Sequence, residues 1–516
     1  MLDFRRINTP SRHGDTLVLP EPRGLVAAVR ANGQALGRCD VPLLDETLAA
    51  WRRRTREQVA GTDDAPVIVV GHQPAFIHPG VWAKHIVAVR LAEALGGVAV
   101  NLIVDCDAPK TTTVAVPYIR DATPGVRAVP FAALPPGGAY EQIARQGSDE
   151  LAAFQANVRD AMAERFDASQ MPAFHDALRN AADAGDWVDQ AVVARQAVEA
   201  RFGVAMRERR VSRLSCSPLL VDMLLGADRF SACYNRALDA YREAQRLRGT
   251  RHPMPDLVRG DRRWEVPVWA YQATGPRRRV FVERSGDTAR LFADTLEIGQ
   301  LDPALAATSA AAANWDGVAR GWRLRPRALT LTIWARLLLA DLFVHGIGGA
   351  KYDRIADRII ADYYRVTPPD MACVSATLTL GLPHRPATAE TVRIARHALR
   401  DLQYNPQRHV PDHPDLVPLL RRRAAAVAQS QALRRECPGD RQRRRAAFLD
   451  IRDANAAMLA ARPELLTTRR AALDRSIRDL AAARIAAGRE YFFGLFTHDR
   501  LQVLFDALPN KRDFRV

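Results

Sequence analysis

Val67-Ile-Val-Val-Gly-His-Gln-Pro-Ala-Phe-Ile-His-Pro-Gly-Val-Trp-Ala-Lys-His-Ile-Val-Ala-Val-Arg-Leu-Ala-Glu-Ala-Leu95 is the stretch that decides the fold. Its first four residues are a short β-branched run, which predicts a buried parallel strand. A loop with two prolines and two histidines follows, Gly71–Gly80. A helix is then predicted from Val81 to Leu95, with Val81, His85, Val89 and Ala92 on one side and Gly96-Gly97 as its stop. A second strand, Val98–Val104, ends at Asp105-Cys106-Asp107, and Thr111–Pro117 is a further β-rich run. Strand, loop, helix, strand within about 50 residues is the pattern of an α/β nucleotide fold.

Outward from that core the pattern changes. Residues 1–64 read as irregular, with a helix near 43–60. Residues 119–260 open on Leu134-Pro-Pro-Gly-Gly138 and continue as Ala-rich helical segments, a helical insertion. Trp264–Ala270, Arg279–Glu283 and Ala289–Ala293 alternate as short antiparallel strands. A helix at 326–341, a strand Leu342–Val344, the Gly-rich loop His345–Gly349, a helix Lys351–Tyr364 and a strand Met371–Thr377 return to the core. Beyond 386 the steps Val392-Ala395-Leu399-Leu402 and Leu466-Leu473-Leu480 are heptad-like. Phe448-Ile451-Asn455-Met458 repeats the pattern, and Pro463 sits at a hairpin position. The expected fold is α/β: a Rossmann-like parallel-sheet core with a helical insertion and a C-terminal α-helical coiled-coil arm. The expected parts are 1–118, the first half of the core; 119–260, the insertion; 261–385, the small β element and second half of the core; 386–490, the arm; and 491–516, an aromatic segment packing back on the body.

Composition bounds the classes. The chain has 516 residues, 48% hydrophobic and 26% charged, which fits about three globular domains and excludes bulk disorder. No run of 18 apolar residues suggests a membrane span, and Met1-Leu-Asp-Phe-Arg-Arg6 is no signal peptide, so a cytoplasmic protein without a membrane partner is expected. The net charge is +16, yet only Lys84, Lys110, Lys351 and Lys511 are lysines among 74 basic residues. Replacement of Lys by Arg that complete reads as coding bias, so nucleic acid is not the expected partner. A surviving Lys then hints at work a fixed guanidinium cannot do. The six cysteines form no CxxC pair and read as reduced, buried thiols.

Three constellations carry chemistry. Gly71-His72-Gln73-Pro74 with His78 and Lys84 sits between a strand and a helix N-terminus, where anions bind; its histidines suit acid–base work near neutral pH. Asp105 and Asp107 stand at a strand's carboxyl end, where alternate residues of an extended chain share a face and suit an amine, a ribose hydroxyl or a divalent metal. His345-Gly346-Ile347-Gly348-Gly349-Ala350-Lys351 permits close backbone approach to a phosphate, although it is neither a Walker A loop nor GxGxxG. No zinc, EF-hand or nucleophile-elbow motif is present, so no metal site is assigned.

The 67–95 stretch resembles the N-terminal core of the bacillithiol-biosynthesis cysteine-adding enzymes. Leu331–Leu378, "LTIWARLLLADLFVHGIGGAKYDRIADRIIADYYRVTPPDMACVSATL", is similar to that family's Gly-Gly-rich return to the core. The inserted helices, the arm and the closing "REYFFGLF…LQVLFDAL" match its layout. The family's Gly-Gln-Gln is Gly71-His72-Gln73 here, its acidic/His-rich segment is reduced to Asp105–Lys110, and its Gly-Gly loop gains His345. The resemblance implies a ligase joining the carboxyl group of cysteine to the amine of a glucosaminyl-malate-type acceptor. His72, His78, Asp105 and Asp107 would then be catalytic, the carboxylates orienting the amine and a histidine taking its proton. Gly71, Gln73, Lys84, His345, Gly346, Gly348, Gly349 and Lys351 would hold the activated acyl group or a phosphate. ATP is the candidate source of activation; the sequence decides neither ATP nor a divalent metal. The alternatives are a metal- and nucleotide-dependent glycosyl- or nucleotidyltransferase built on Asp105/Asp107, and a non-enzymatic scaffold with a basic arm. The heptads also allow a homodimer through that arm.

Overall fold

The computed structural model describes residues 7–515 apart from 134–135, 182, 250–252, 286–287, 307, 309–318, 320 and 411–413. The opening Met1–Arg6 and the start of the Leu134–Gly138 stretch therefore lie outside the described residues. The chain is mixed α/β and divides into two compact units. One comprises 1–116, 127–380 and 489–516, the other 117–126 and 381–488.

The larger unit is built on a six-stranded sheet. Its order is Thr16–Leu19, Met371–Ala376, Leu342–His345, Val67–His72, Val98–Ile103, Arg207–Arg210. All neighbours are parallel except the Thr16–Leu19 edge. The three central runs are buried β-branched or apolar residues, as a strand covered on both faces requires. The helices Pro79–Ala94 and Ile347–Asp362 follow Val67–His72 and Leu342–His345 and put their N-termini at the strands' carboxyl ends.

Both edge strands depart from the sequence expectation. Thr16–Leu19 lies in a segment that reads as irregular, and it pairs antiparallel with Met371–Ala376. Arg207-Glu-Arg-Arg210 lies inside the expected helical insertion, yet it extends the sheet beside Val98–Ile103. Its charged side chains are accommodated because each of the two innermost finds a partner: Glu208 pairs with Arg195 and Arg210 with Asp105. The helices of 148–245 accordingly belong to the same compact unit as the sheet. The expected 43–60 helix starts later, at Leu48, because Pro42–Leu43 and Glu46–Thr47 form a small hairpin with Leu44 at φ 57°. Thr47 then caps the helix by accepting from Ala50 N–H. The antiparallel element has five strands, Leu296–Leu301, Thr288–Ala293, Arg278–Ser285, Arg263–Tyr271 and Arg323–Pro326 in that order.

The amino ends of the two central strands are fixed by one carboxylate. Asp341 accepts from Arg52 Nη2 at 2.6 Å, Arg56 Nη1 at 2.7 Å and Val67 N–H at 2.7 Å, all buried. Arg52 also donates to the Leu337 and Ala340 carbonyls.

Among its described residues the smaller unit holds four α-helices, Ala389–Tyr404, Val417–Glu436, Arg441–Ala460 and Pro463–Ala486. The second and third pack along each other, as do the first and fourth. Of the heptad positions, Asn455 and Met458 are buried, Leu466, Leu473 and Leu480 half-buried, and Phe448 exposed. Asn455 accepts from Arg423 and donates to the Tyr404 carbonyl, a polar tie within the unit. Among the described residues no helix is long and apolar enough to cross a membrane.

Replacing Asp341 by Ala strands two buried guanidinium groups and a strand amide. Urea unfolding of Asp341→Ala is expected to show a loss of about 3–5 kcal/mol.

Candidate functional site

The carboxyl ends of the parallel strands gather the first and third constellations. The strand Val67–His72 ends one residue before Gln73, and His78 caps the next helix, its Nδ1 accepting from Gly80 N–H at 3.1 Å. Pro79 at the first helical position supplies the φ that the turn needs. Gly80 admits no side chain: a Cβ there would stand 2.8 Å from the Ala376 carbonyl and 2.7 Å from Arg489 Nη2. Arg489 donates to that carbonyl at 3.0 Å and to Ser375 Oγ at 3.2 Å. It enters from the C-terminal segment, where the sequence carried no signal for it.

Lys84 lies one turn into the helix and turns back toward the strand. Its Nζ donates to the Gly71 carbonyl at 3.1 Å and is buried. No carboxylate pairs with it among the described residues; Cys373 is the only group that favours its charge. Burial lowers the ammonium to about 8. His72 is lowered to about 3 by burial and then by Lys84. His78 is lowered to about 4 by burial, then by Arg489 and Lys84. Both imidazoles are therefore neutral at pH 7 and poor proton acceptors. His72 hydrogen-bonds the Gln73 carbonyl through Nδ1 at 3.0 Å. Of the three groups, Lys84 is the one whose lowering brings it nearest to neutrality.

The third constellation is a helix start rather than a free loop. His345 ends its strand, Gly346 is the N-cap, and Gly348 and Gly349 lie in the first turn of Ile347–Asp362. Gly346 and Gly348 have open space above them, leaving first-turn amides accessible. Gly349 does not, because a Cβ would lie 2.8 Å from His345 Nδ1. His345 is buried, packs on Phe343 and bonds Asp353 at 3.2 Å, which also takes Arg336 at 2.5 Å. It is a structural residue rather than a ligand group. Lys351 is half-buried and close enough to Cys373 to act on its thiol. Lys110 is exposed.

The second constellation separates. The strand ends at Ile103, so Asp105–Asp107 lie in a turn and do not share a face. Asp105 is fully buried and committed: it accepts from Arg210 Nε at 2.7 Å, Ser212 N–H at 2.9 Å and Ser212 Oγ at 2.5 Å. Asp107 instead takes Gln73 Nε2 at 2.5 Å and Arg277 Nη1 at 2.7 Å, which joins it to the first constellation. Cys106 turns into the core. The pair does not converge on one metal or one amine, and among the described residues no group of three or more His, Cys, Asp and Glu has metal-site geometry.

A further group escaped the sequence reading. His85 Nδ1 lies 2.6 Å from Glu199 Oε1, Arg195 bridges Glu199 at 2.5 Å and Glu208 at 2.8 Å, and Asn101 donates to Glu208 at 2.9 Å. The helical side carrying His85 was visible in the periodicity, but its partners come from 100 residues further on.

No protein-family model matches this chain, and no curated protein is significantly similar to it.

Two results follow. Gly80→Ala is expected to cost about 1–3 kcal/mol in urea unfolding, as overpacking against a backbone carbonyl does, while Gly348→Ala is tolerated. The lowered histidines give a defined pH dependence. Below pH 6.5 the unfolded chain binds protons that native His72 and His78 refuse, so stability is complete above about 6.5 and falls as pH drops toward about 4. Unfolding midpoints from pH 7 to 4 should fall less steeply in His78→Gln than in the parent.

Proposed function

We propose that this protein is an enzyme that joins a carboxyl group to an amine, the reaction class implied by its resemblance to the bacillithiol-biosynthesis cysteine-adding enzymes. The finer reading of the architecture, a Rossmann-like core with a coiled-coil arm, belongs to the same proposal. One observation carries it: Lys84, a buried cation without a carboxylate partner, at the carboxyl ends of parallel strands where ligands of such sheets bind. Arg489, Lys351 and two helix N-termini surround that position with further positive potential.

The arrangement suits an anionic acyl donor. Arg489 holds its carboxylate, and neutral His72 and His78 contribute hydrogen bonds without adding charge. Amide formation bonds the amine nitrogen to the carboxyl carbon, breaks one C–O bond of that carboxyl group, whose oxygen leaves with the phosphate that activated it, and releases a proton from the nitrogen. Lys84, in the fraction that is neutral, is placed to take it. ATP supplies the activation of the carboxyl group when bound. The residues that fit its phosphates are Lys351 and the accessible amides beside Gly346 and Gly348. Asp107 and Gln73 form the rim toward the acceptor, while Asp105 only holds the turn.

The test is an end-point mass-spectrometric assay with cysteine and a panel of primary amines, glucosaminyl-malate and apolar amines among them, with and without ATP and magnesium. A cysteinyl adduct is expected, with kcat rising along a limb near pH 8. Lys84→Arg keeps the charge but cannot release the proton, and is expected to lose a factor of about 10²–10⁴. Undiminished turnover in folded Lys84→Arg, or no amide product from any acid–amine pair, sinks the reading.

A further inference from the structure

His72 and Gln73 also line a cavity of about 20 Å³. Its walls are aromatic: Phe76, Phe174, Trp187 and Phe492 all line it. Phe76 meets Phe492 edge-on at 5.0 Å, and Phe174 meets Phe492 at 4.9 Å. Two other lining residues are polar and almost completely buried, His85 at 1% exposure and Asn101 at 2%.

Each of these two residues has one satisfied end and one orphan. Glu199 is paired through Oε2 with Arg195, which favours its ionised form, so Oε1 accepts from His85 Nδ1–H and Nε2 is left as a lone-pair acceptor. The Asn101 amide nitrogen is given to Glu208, which leaves Oδ1 as an acceptor. Neither His85 Nε2 nor Asn101 Oδ1 has a partner among the described residues. A buried polar atom without a partner costs about 1–3 kcal/mol. The cavity therefore presents two acceptors, and it asks for a group with two donors. Arg195 also lines the cavity. One guanidinium, Arg195, stands between two carboxylates, Glu199 and Glu208, beside a neutral imidazole. Aromatic faces add attraction for a cationic or polarised N–H group.

From this we infer that the cavity receives the amino head of a primary-amine substrate whose nitrogen is carried on an apolar, alkyl or aryl stem. The size admits a head of one or two heavy atoms, since a water needs about 10–15 Å³. An unprotonated amine has two N–H donors for His85 and Asn101 and keeps its lone pair. The stem carbons next to the nitrogen meet Phe76, Trp187 and Phe492. An amino sugar would instead press hydroxyl groups against those rings, at a cost in lost hydration. The inference rests on the amide-forming reading and narrows it: the acceptor differs in class from a glucosaminyl-malate.

Binding is measured apart from turnover, so the two readings fail separately. The probes are benzylamine, isobutylamine and glucosamine, titrated calorimetrically into the full chain at pH 8.5. The two apolar amines are expected to bind at least tenfold more tightly than glucosamine. Asn101→Leu, which removes one acceptor at similar volume, should weaken benzylamine at least tenfold. Phe76→Leu, at a half-buried wall, provides a second variant if Asn101→Leu fails to fold, and it should weaken benzylamine more than isobutylamine. Glucosamine binding as tightly as the apolar amines, or no amine binding at all, overturns the inference. Tight benzylamine binding without any amide product upholds the pocket and removes the ligase reading instead.

Discussion

The carboxylate of Asp341 is the constraint on which the rest of the larger unit depends. It holds Arg52, Arg56 and the Val67 amide together at the amino ends of the two central strands. Those strands then run in parallel register, Leu342 beside Ile68 and Val344 beside Val70. Because their starts are pinned, their far ends finish together, and the helices that follow begin side by side. The position of Lys84 relative to the first turn of Ile347–Asp362 is thus set at the opposite edge of the sheet. A carboxylate held by two guanidinium groups is stiff, and stiffness at the base suits a site whose chemistry is at the tips.

The charged edge strand plays the complementary part. Arg207–Arg210 is an unlikely strand by composition, yet it sorts the buried charges. Its Arg210 neutralises Asp105, and its Glu208 completes the Arg195–Glu199 group. The acidic side chains near the strand ends are consumed by these pairings or by Arg277. What remains unneutralised is positive on the Lys84 side. On the His85 side the two carboxylates outnumber the single guanidinium. One short strand thereby separates a surface suited to an acid from a cavity suited to an amine.

Much of the core was legible because parallel strands covered on both faces are written as continuous apolar runs, and Val67–Val70, Leu342–Val344 and Met371–Thr377 are such runs. The helix after Val67–Val70 was legible from its stop at Gly96 and its periodicity. Arg207–Arg210 was not, because a strand whose side chains are satisfied by distant ion pairs has no apolar signature. The Asp105–Asp107 reading failed for a local reason: alternation holds only in extended chain, and the strand ends at Ile103. His72, His78, Gln73 and Lys84 were brought together as their spacing suggested. Their ionisation was not legible, since the depth of burial that keeps both imidazoles neutral is a property of the packed fold. Arg489 and the His85 partners were invisible because no local pattern marks a residue that arrives from a distant segment.

The rarity of lysine gives Lys84 its meaning once burial is known. Among the described residues six arginines are buried, Arg52, Arg56, Arg195, Arg210, Arg242 and Arg336, and every one of them is paired with a carboxylate. That is what a permanent cation demands of a low-dielectric interior. Lys84 is equally buried and has only a backbone carbonyl. An ammonium tolerates this because it can lose its proton, and its lowering to about 8 is the measure of that escape. Arginine has no such escape. In a chain that uses arginine almost everywhere else, the lysine at this position is the cation that can meet burial by giving up its proton, whereas a permanent cation at the same depth demands a carboxylate.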